Sequence, residues 1–284
     1  MAYGAEKLKR DIALLEQAGA NVGSIGGSLL GRPIPYVSCG SGRRVFCVYC
    51  THAREHITSA LAYRHMQRYM RRPVPGFELV FVPMHNIDGV QLCQQGLASV
   101  PAHMRARLAR INGGIDFSLW KANAAAVDLN VNFPAKWGSG TSNVFEPAPE
   151  NYVGPRPLSE PENRALTDFI MRGGCSGLLS FHCKGEILFW KFGQRGAALA
   201  RDRMIAGELA RESGYQLVSG KGSAGGLKDW CVQALGVPAV TVEVGSDDFS
   251  HPLPYSILND CERRTAELPL IFCRAIERYG DTHS

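Results

Sequence analysis

Apolar positions along the chain fall into two patterns. Residues 45–49, 79–82, 177–181 and 239–244 are nearly unbroken apolar runs, as a strand buried on both faces of a sheet requires. Residues 5–18 and 57–71 instead repeat apolar side chains at three- and four-residue spacing, and Pro73 closes the second segment; both are predicted to be helices with one buried face. Short strand-like segments lead from Ser28 to about Ser38, 186–192 and 215–218 read as further strands, and 102–110, 197–212, 226–235 and 254–278 read as helices. Between them, 84–160 is mostly loop, rich in Asn, Gly, Pro and Ala, and loops this long inside a compact domain usually build a site. Strands alternating with helices predict an α/β fold whose active residues sit at the carboxyl ends of strands.

Composition sharpens this without redirecting it. The 284 residues are 45% hydrophobic and 20% charged, with 31 Gly and 16 Pro scattered rather than clustered, as expected of one globular domain over 1–284 with 1–23 a helical extension packed on it. The net charge of +5 is not gathered into a basic block, so nucleic acid is not an expected partner. Nine cysteines, an odd number, sit largely in apolar stretches such as Phe46-Cys47-Val48-Tyr49-Cys50; they read as small hydrophobes in a reducing compartment. Cys47 and Cys50 have redox-motif spacing, but in a strand they point to opposite faces. The apolar run at 12–15 is cut short by Glu16 and Gln17, too short for a signal core, and no apolar run reaches the ~18 residues of a spanning helix. A cytoplasmic location with no membrane partner is the expectation.

Candidate chemistry lies at three strand ends. The run 45–49 leads into Thr51-His52-Ala53-Arg54-Glu55-His56; on a helical first turn His52 and Glu55 project the same way, which suits two ligands of one cation, although a Glu there also simply favours the helix dipole. The run 177–181 delivers His182, and 239–244 carries Glu243 in apolar surroundings, a costly place for a carboxylate unless it is paired or faces a polar cleft. Two His and one Glu leave a zinc coordination position open, as hydrolysis needs, and a second Glu can take the proton from water; the plainer alternative is a satisfied core histidine and a structural carboxylate. A rival reading rests on Gly220-Lys221-Gly222-Ser223-Ala224-Gly225, which fits a dinucleotide-binding fingerprint, but only 41 residues follow Glu243, too few for the remaining strands of such a fold.

Taken in order, the motifs resemble the zinc carboxypeptidase A-like family, and within it the bacterial branch that cleaves γ-D-glutamyl-diaminopimelate bonds of cell-wall peptides. The similarity is carried by Ser24-Ile25-Gly26-Gly27-Ser28 through Gly31-Arg32-Pro33-Ile34, His52-Ala53-Arg54-Glu55, Asn86-Ile87-Asp88-Gly89-Val90, Trp120-Lys121-Ala122-Asn123, Asp128-Leu129-Asn130 through Asn132-Phe133-Pro134, Ser180 to Gly185, Gly222 to Trp230, and Thr241-Val242-Glu243-Val244-Gly245. The resemblance implies a central mixed sheet flanked by helices, one Zn2+ per chain held by His52, Glu55 and His182, and Glu243 as the general base. It implies that Lys121 lies near the scissile carbonyl, with Arg54 and Asn130 contacting substrate, and a small peptide as partner.

Departures from the pattern matter as much. Val131 stands where the family usually has the arginine that clamps a substrate's terminal carboxylate, 124–126 is Ala-Ala-Ala where arginine and glycine are common, and Lys221 takes the place of a lid tyrosine. A bidentate arginine contact has no substitute in valine. The expectation is therefore a peptidase that recognises a small anionic peptide through other groups, among them Arg54, Lys184 and Lys221, the alternative being a weakened zinc-binding relative that only holds peptide.

Overall fold

The apolar runs assemble side by side in one sheet. In this computed structural model, which describes residues 2–220 and 222–280, the strands are β1 (Asn21–Gly27), β2 (Pro33–Gly40), β3 (Arg43–Tyr49), β4 (Phe77–Val82), β5 (Gly177–His182), β6 (Ile187–Phe189), β7 (Gln216–Val218) and β8 (Ala239–Glu243). Their order is β1-β2-β4-β3-β5-β8-β6-β7. The central four, β4, β3, β5 and β8, are mutually parallel, while β2 joins β4 and β6 joins β8 antiparallel. Every residue of β5 and the last five of β3 are buried, which is why these segments read as unbroken apolar runs rather than alternating ones.

Helices cover the sheet. They are α1 (Ala5–Gln17), α2 (Ile57–Arg71), α3 (Ile87–Gln95), α4 (Ala102–Asn112), α5 (Pro161–Gly173), α6 (Gly196–Ser213), the single turn α7 (Leu227–Trp230), α8 (Leu258–Thr265) and α9 (Leu268–Gly280). α2 packs on α1, α8 and strands β2, β3 and β4, α5 packs on β1, and α6 packs on α9. Burial is thorough: Leu61, Phe81, Phe181 and Phe272 are fully enclosed, each contributing roughly 1.5–3 kcal/mol through removal from water. Among the described residues no helix is long and apolar enough to cross a membrane. All nine cysteines are free, and eight are buried.

Several elements differ from their sequence-based expectation. The helix expected over 254–278 is divided at 266–267, because Pro269 has no N–H and fits only the first turn of a new helix, α9. The helix expected over 226–235 is α7 followed by a π-helical turn at Cys231–Leu235. The strand expected over 186–192 contracts to three residues. Helices α3 and α5 were not anticipated. The former lies wholly inside the presumed loop and carries Gly89, Gln91, Gln94 and Gln95, and the latter begins on Pro161. The glycine-rich fingerprint follows the three-residue edge strand β7 and precedes the four-residue α7, so the dinucleotide reading drops out.

Candidate metal centre and active site

The site forms at the carboxyl ends of β3, β5 and β8, adjacent strands of the parallel core. Beyond Tyr49 the chain turns sharply at Cys50 (φ +54°), whose N–H donates to Thr58 Oγ1 at 2.9 Å. A single 3-10 turn, Ala53–Glu55, then carries Glu55 into the interior, with His52 as its extended N-terminal neighbour. Two asparagines brace this segment. Asn86 Nδ2 donates to the carbonyls of Thr51 and Ala122, both at 3.1 Å, and Asn123 Oδ1 accepts from the N–H groups of Ala125 and Val127. With the Ala53 N–H donating to the Lys121 carbonyl at 3.0 Å, the turn at 51–55 and the loop at 120–128 are locked together. On β5 and β8, His182 and Glu243 are register partners, so their side chains leave neighbouring strand ends about 4.8 Å apart.

His52, Glu55 and His182 converge. Glu55 Oε1 lies 2.7 Å from His52 Nδ1, Glu55 Oε2 lies 3.0 Å from His182 Nδ1, and the two Nδ1 atoms are 3.1 Å apart. Two imidazole nitrogens this close are mutually unfavourable unless a proton or a cation lies between them. One donor atom from each of the three falls within 4.8 Å of the others, and all three residues are buried. This two-histidine, one-carboxylate set has the composition of open zinc sites. Each ring is also held from behind, as ligating imidazoles are: His182 Nε2 is 3.0 Å from Ser180 Oγ, and His52 Nε2 is 3.3 Å from Asp128 Oδ1, though not in hydrogen-bond alignment.

Charge is organised around these rings. Burial alone would keep His52 neutral, but the Glu55 and Asp128 carboxylates overcome it and raise its pKa. Burial alone would raise Glu55, but the two histidines reverse that and lower it. Asp128 is likewise driven well below the usual range, against its burial, by Lys121 and His52. Glu243 behaves oppositely: burial dominates and lifts its carboxyl to about 7, with the Glu55 charge adding to the lift.

The remaining sequence candidates are distributed as follows. The Lys121 ammonium, mostly buried, is 2.8 Å from Asp128 Oδ2 and donates to Asn151 Oδ1 at 3.1 Å, so in this structure it is engaged behind His52. Arg54 pairs with the exposed Glu150 at 3.0 Å and donates to the Leu119 carbonyl. Lys184 pairs with the exposed Asp247 at 3.2 Å. Asn130 and Glu243 line one small cavity, and the Asn130 side-chain carbonyl accepts from the Leu227 N–H at 3.1 Å. Lys221 lies outside the described residues. Asp128 and Ser180 were visible in the sequence only as parts of longer motifs, and nothing in spacing alone marks either as a support for a histidine.

Comparison with known proteins bears on this geometry. A sequence profile described as zinc carboxypeptidase matches residues 10–266. The chain belongs to the zinc carboxypeptidase family. It is 33% identical over 248 residues to γ-D-glutamyl-L-diamino acid endopeptidase 1 of Lysinibacillus sphaericus, a match covering 82% of this chain and 62% of that protein. The chain thus spans under two thirds of that relative's length. Among solved structures, bovine thrombin-activatable fibrinolysis inhibitor bound to tick carboxypeptidase inhibitor superposes with a TM-score of 0.79 at 18% identity, covering 98% of both chains. The murein-tripeptide amidase of Escherichia coli O157 superposes with a TM-score of 0.59 at 22% identity, covering 90% of this chain and 91% of that one. At these identities the structural matches establish the fold alone: a carboxypeptidase-like α/β domain with a mixed eight-stranded sheet.

Proposed function

We propose that this member of the zinc carboxypeptidase family is a zinc-dependent peptidase that hydrolyses an amide bond in a small anionic peptide of the γ-D-glutamyl-diaminopimelate type. The observation that carries the reading is the convergence of His52, Glu55 and His182 on one buried point, with Glu243 at the adjoining strand end as the register partner of His182. A carboxylate placed there can serve as the proton acceptor that general-base hydrolysis requires. His52, Glu55 and His182 would hold one zinc per chain, and zinc in such a site supplies Lewis-acid polarisation of the scissile carbonyl and acidification of water.

The chain's own residues then divide the work. Glu243 accepts a proton from the attacking water on one carboxylate oxygen and passes it to the departing amine. Lys121 holds Asp128 charged, and Asp128 orients the His52 ring; in this arrangement Lys121 is a positioning residue. Arg54 and Lys184 have exposed acidic partners that substrate carboxylates can replace, and Asn130 faces the same cavity as Glu243. With Val131 in place of a carboxylate clamp, the peptide is free to continue beyond the residue that follows the cut bond.

The test is mass spectrometry of digests of the cell-wall tripeptide, the tetrapeptide and a standard C-terminal peptide, with and without zinc, for the wild type and Glu243→Gln. Zinc-dependent cleavage at the γ-glutamyl bond is expected, falling about 10²–10⁴-fold in the variant while bound zinc is retained. An unchanged rate in Glu243→Gln would overturn the mechanism. Tight peptide binding with no turnover by the zinc-loaded wild type would favour a binding module instead.

A further inference from the structure

One polar side chain near the proposed metal ligands takes no part in holding the ion or moving protons. The loop after β8 is fastened at its start, where the Val244 N–H donates to the His182 carbonyl at 2.8 Å and the Gly185 N–H donates to the Gly245 carbonyl at 2.7 Å, and at its far end Leu253 is buried. Between these anchors stands the half-buried His251, which forms no hydrogen bond or ion pair with another described residue. The charges that act on it most are Glu55, Arg54, Lys184 and His52. Its ring is thus within electrostatic reach of the proposed ligands and of two cations that face the substrate.

The two ring nitrogens differ. Nδ1 is closed off from solvent without a partner, whereas Nε2 is open to it. Burial holds the pKa of the ring below the usual histidine value, with Arg54, Lys184 and His52 adding to the effect and Glu55 opposing it, so at pH 7 the ring is neutral and carries one proton. An enclosed N–H without an acceptor is costlier than an enclosed lone pair. The proton therefore sits on Nε2, and His251 offers the cleft a neutral hydrogen-bond donor in the company of a guanidinium and an ammonium. The ion-pair partners of those two cations, Glu150 and Asp247, are exposed, so a bound carboxylate can replace them.

Glu243, which hands a proton to the departing amine, lines a cavity that none of His251, Arg54 and Lys184 touches. These three belong to the other flank, where the acyl residue lies. A neutral residue in an α-linked peptide has no free carboxylate there, because its only carboxyl is in the bond that is cut. In a γ-glutamyl peptide the side-chain carboxyl makes that bond, and the α-carboxylate stays free, four carbon–carbon bonds or about 5 Å from the scissile carbon.

Resting on the function proposed above, we infer that His251, together with Arg54 and Lys184, reads the free α-carboxylate of the acyl residue, so that γ-linked glutamyl peptides are taken in preference to those whose α-carboxyl is capped as an amide. A carboxylate accepts from the Nε2–H and from both cations, whereas a carboxamide turns an NH2 group toward at least one of the three donors.

The experiment compares γ-D-glutamyl-diaminopimelate with its α-carboxamide counterpart, as kcat/KM for the zinc-loaded wild type, His251→Phe and His251→Gln, and titrates L-alanyl-D-glutamate and L-alanyl-D-isoglutamine calorimetrically into the same proteins. The wild type is expected to favour the free carboxylate by about 10–100-fold in both measurements, the range of one charge-assisted hydrogen bond. His251→Phe keeps a flat ring without a donor and should cut that ratio by about threefold or more. His251→Gln, whose amide nitrogen can stand where Nε2 stood, should keep most of it. Equal values for carboxylate and carboxamide in the wild type overturn the inference, with no dependence on whether either variant folds. A folded His251→Phe that keeps the wild-type ratio overturns it as well, and so does an equal loss in both variants, which would make the histidine a packing residue. The two readings fail separately. A carboxylate preference in binding without hydrolysis of either peptide would sink the proposed function and leave the subsite, whereas zinc-dependent hydrolysis of both peptides with equal kcat/KM would sink the subsite and leave the function.

Discussion

Replacing Lys121 with Met keeps the length of the side chain and removes its charge. The consequence follows from the fully buried Asp128, whose Oδ2 lies 2.8 Å from the ammonium and also accepts from the Asn151 N–H at 3.1 Å, while Oδ1 accepts from the Asn130 N–H at 2.9 Å. At that separation the direct attraction is about 6 kcal/mol for an effective dielectric constant of 20, much of it offset by desolvation of the two ions. Removing one partner strands the other, so Lys121→Met should destabilise the metal-free protein by about 3–5 kcal/mol. In Lys121→Met/Asp128→Asn no stranded charge remains, and the pair should lose at least about 1 kcal/mol less than the sum of the single variants. Urea unfolding at pH 7 of the four proteins closes this cycle. A loss below about 1 kcal/mol for Lys121→Met would place the lysine in solvent contact and refute its role behind His52.

Burial lifts the Glu162 carboxyl to about 7, with Asp88 and Glu160 adding to it. The unfolded chain loses this proton at ordinary carboxyl pH, the folded chain only near neutrality, so stability should fall by up to about 3 kcal/mol as pH rises from about 4.5 through 7. Glu162→Gln should remove that slope, and parallel urea midpoints for the two proteins across pH 5 to 8 would contradict it. His182→Ala should lose stoichiometric zinc by elemental analysis, whereas Ser180→Ala should keep it with about 10–100-fold weaker affinity; identical zinc affinities for Ser180→Ala and the wild type would deny the hydroxyl a supporting role. Val131→Arg should raise cleavage of a standard peptide at its free carboxyl end by about tenfold or more, measured as kcat/KM, and no gain would show that the valine is not what limits that activity.

Legibility of the sequence depended on how local the signal was. β3, β5 and β8 could be read because burial on both faces leaves an apolar run with no competing pattern, and the polar residues that interrupt or end those runs are the ones that meet at the site. α5 was missed although Leu166 and Ile170 are spaced for a helix face, because Pro161 and Glu160 at its start looked like the end of a loop. α3 was missed because Gly89, Gln94 and Gln95 weaken its pattern; it is started instead by Asn86, whose side chain accepts from the Gly89 N–H. The links from Lys121 through Asp128 to His52, and from Ser180 to His182, depend on how side chains meet in space. Spacing along the chain cannot report that, nor can it bring His251 within electrostatic reach of Arg54 and Lys184.

The three proposed zinc ligands and Glu243 lie far apart in the chain: His52 and Glu55 come early, His182 follows some 130 positions later and Glu243 lies beyond it. During synthesis the first two emerge with neither the third proposed donor nor the loop that steadies the first, and could offer a metal no more than weak bidentate binding. If these residues hold zinc as proposed, its acquisition would be deferred until most of the polypeptide has left the ribosome and β5 has taken its place beside β3. Metal content would then report on completed folding, and a prematurely terminated product would lack the proposed hydrolytic site.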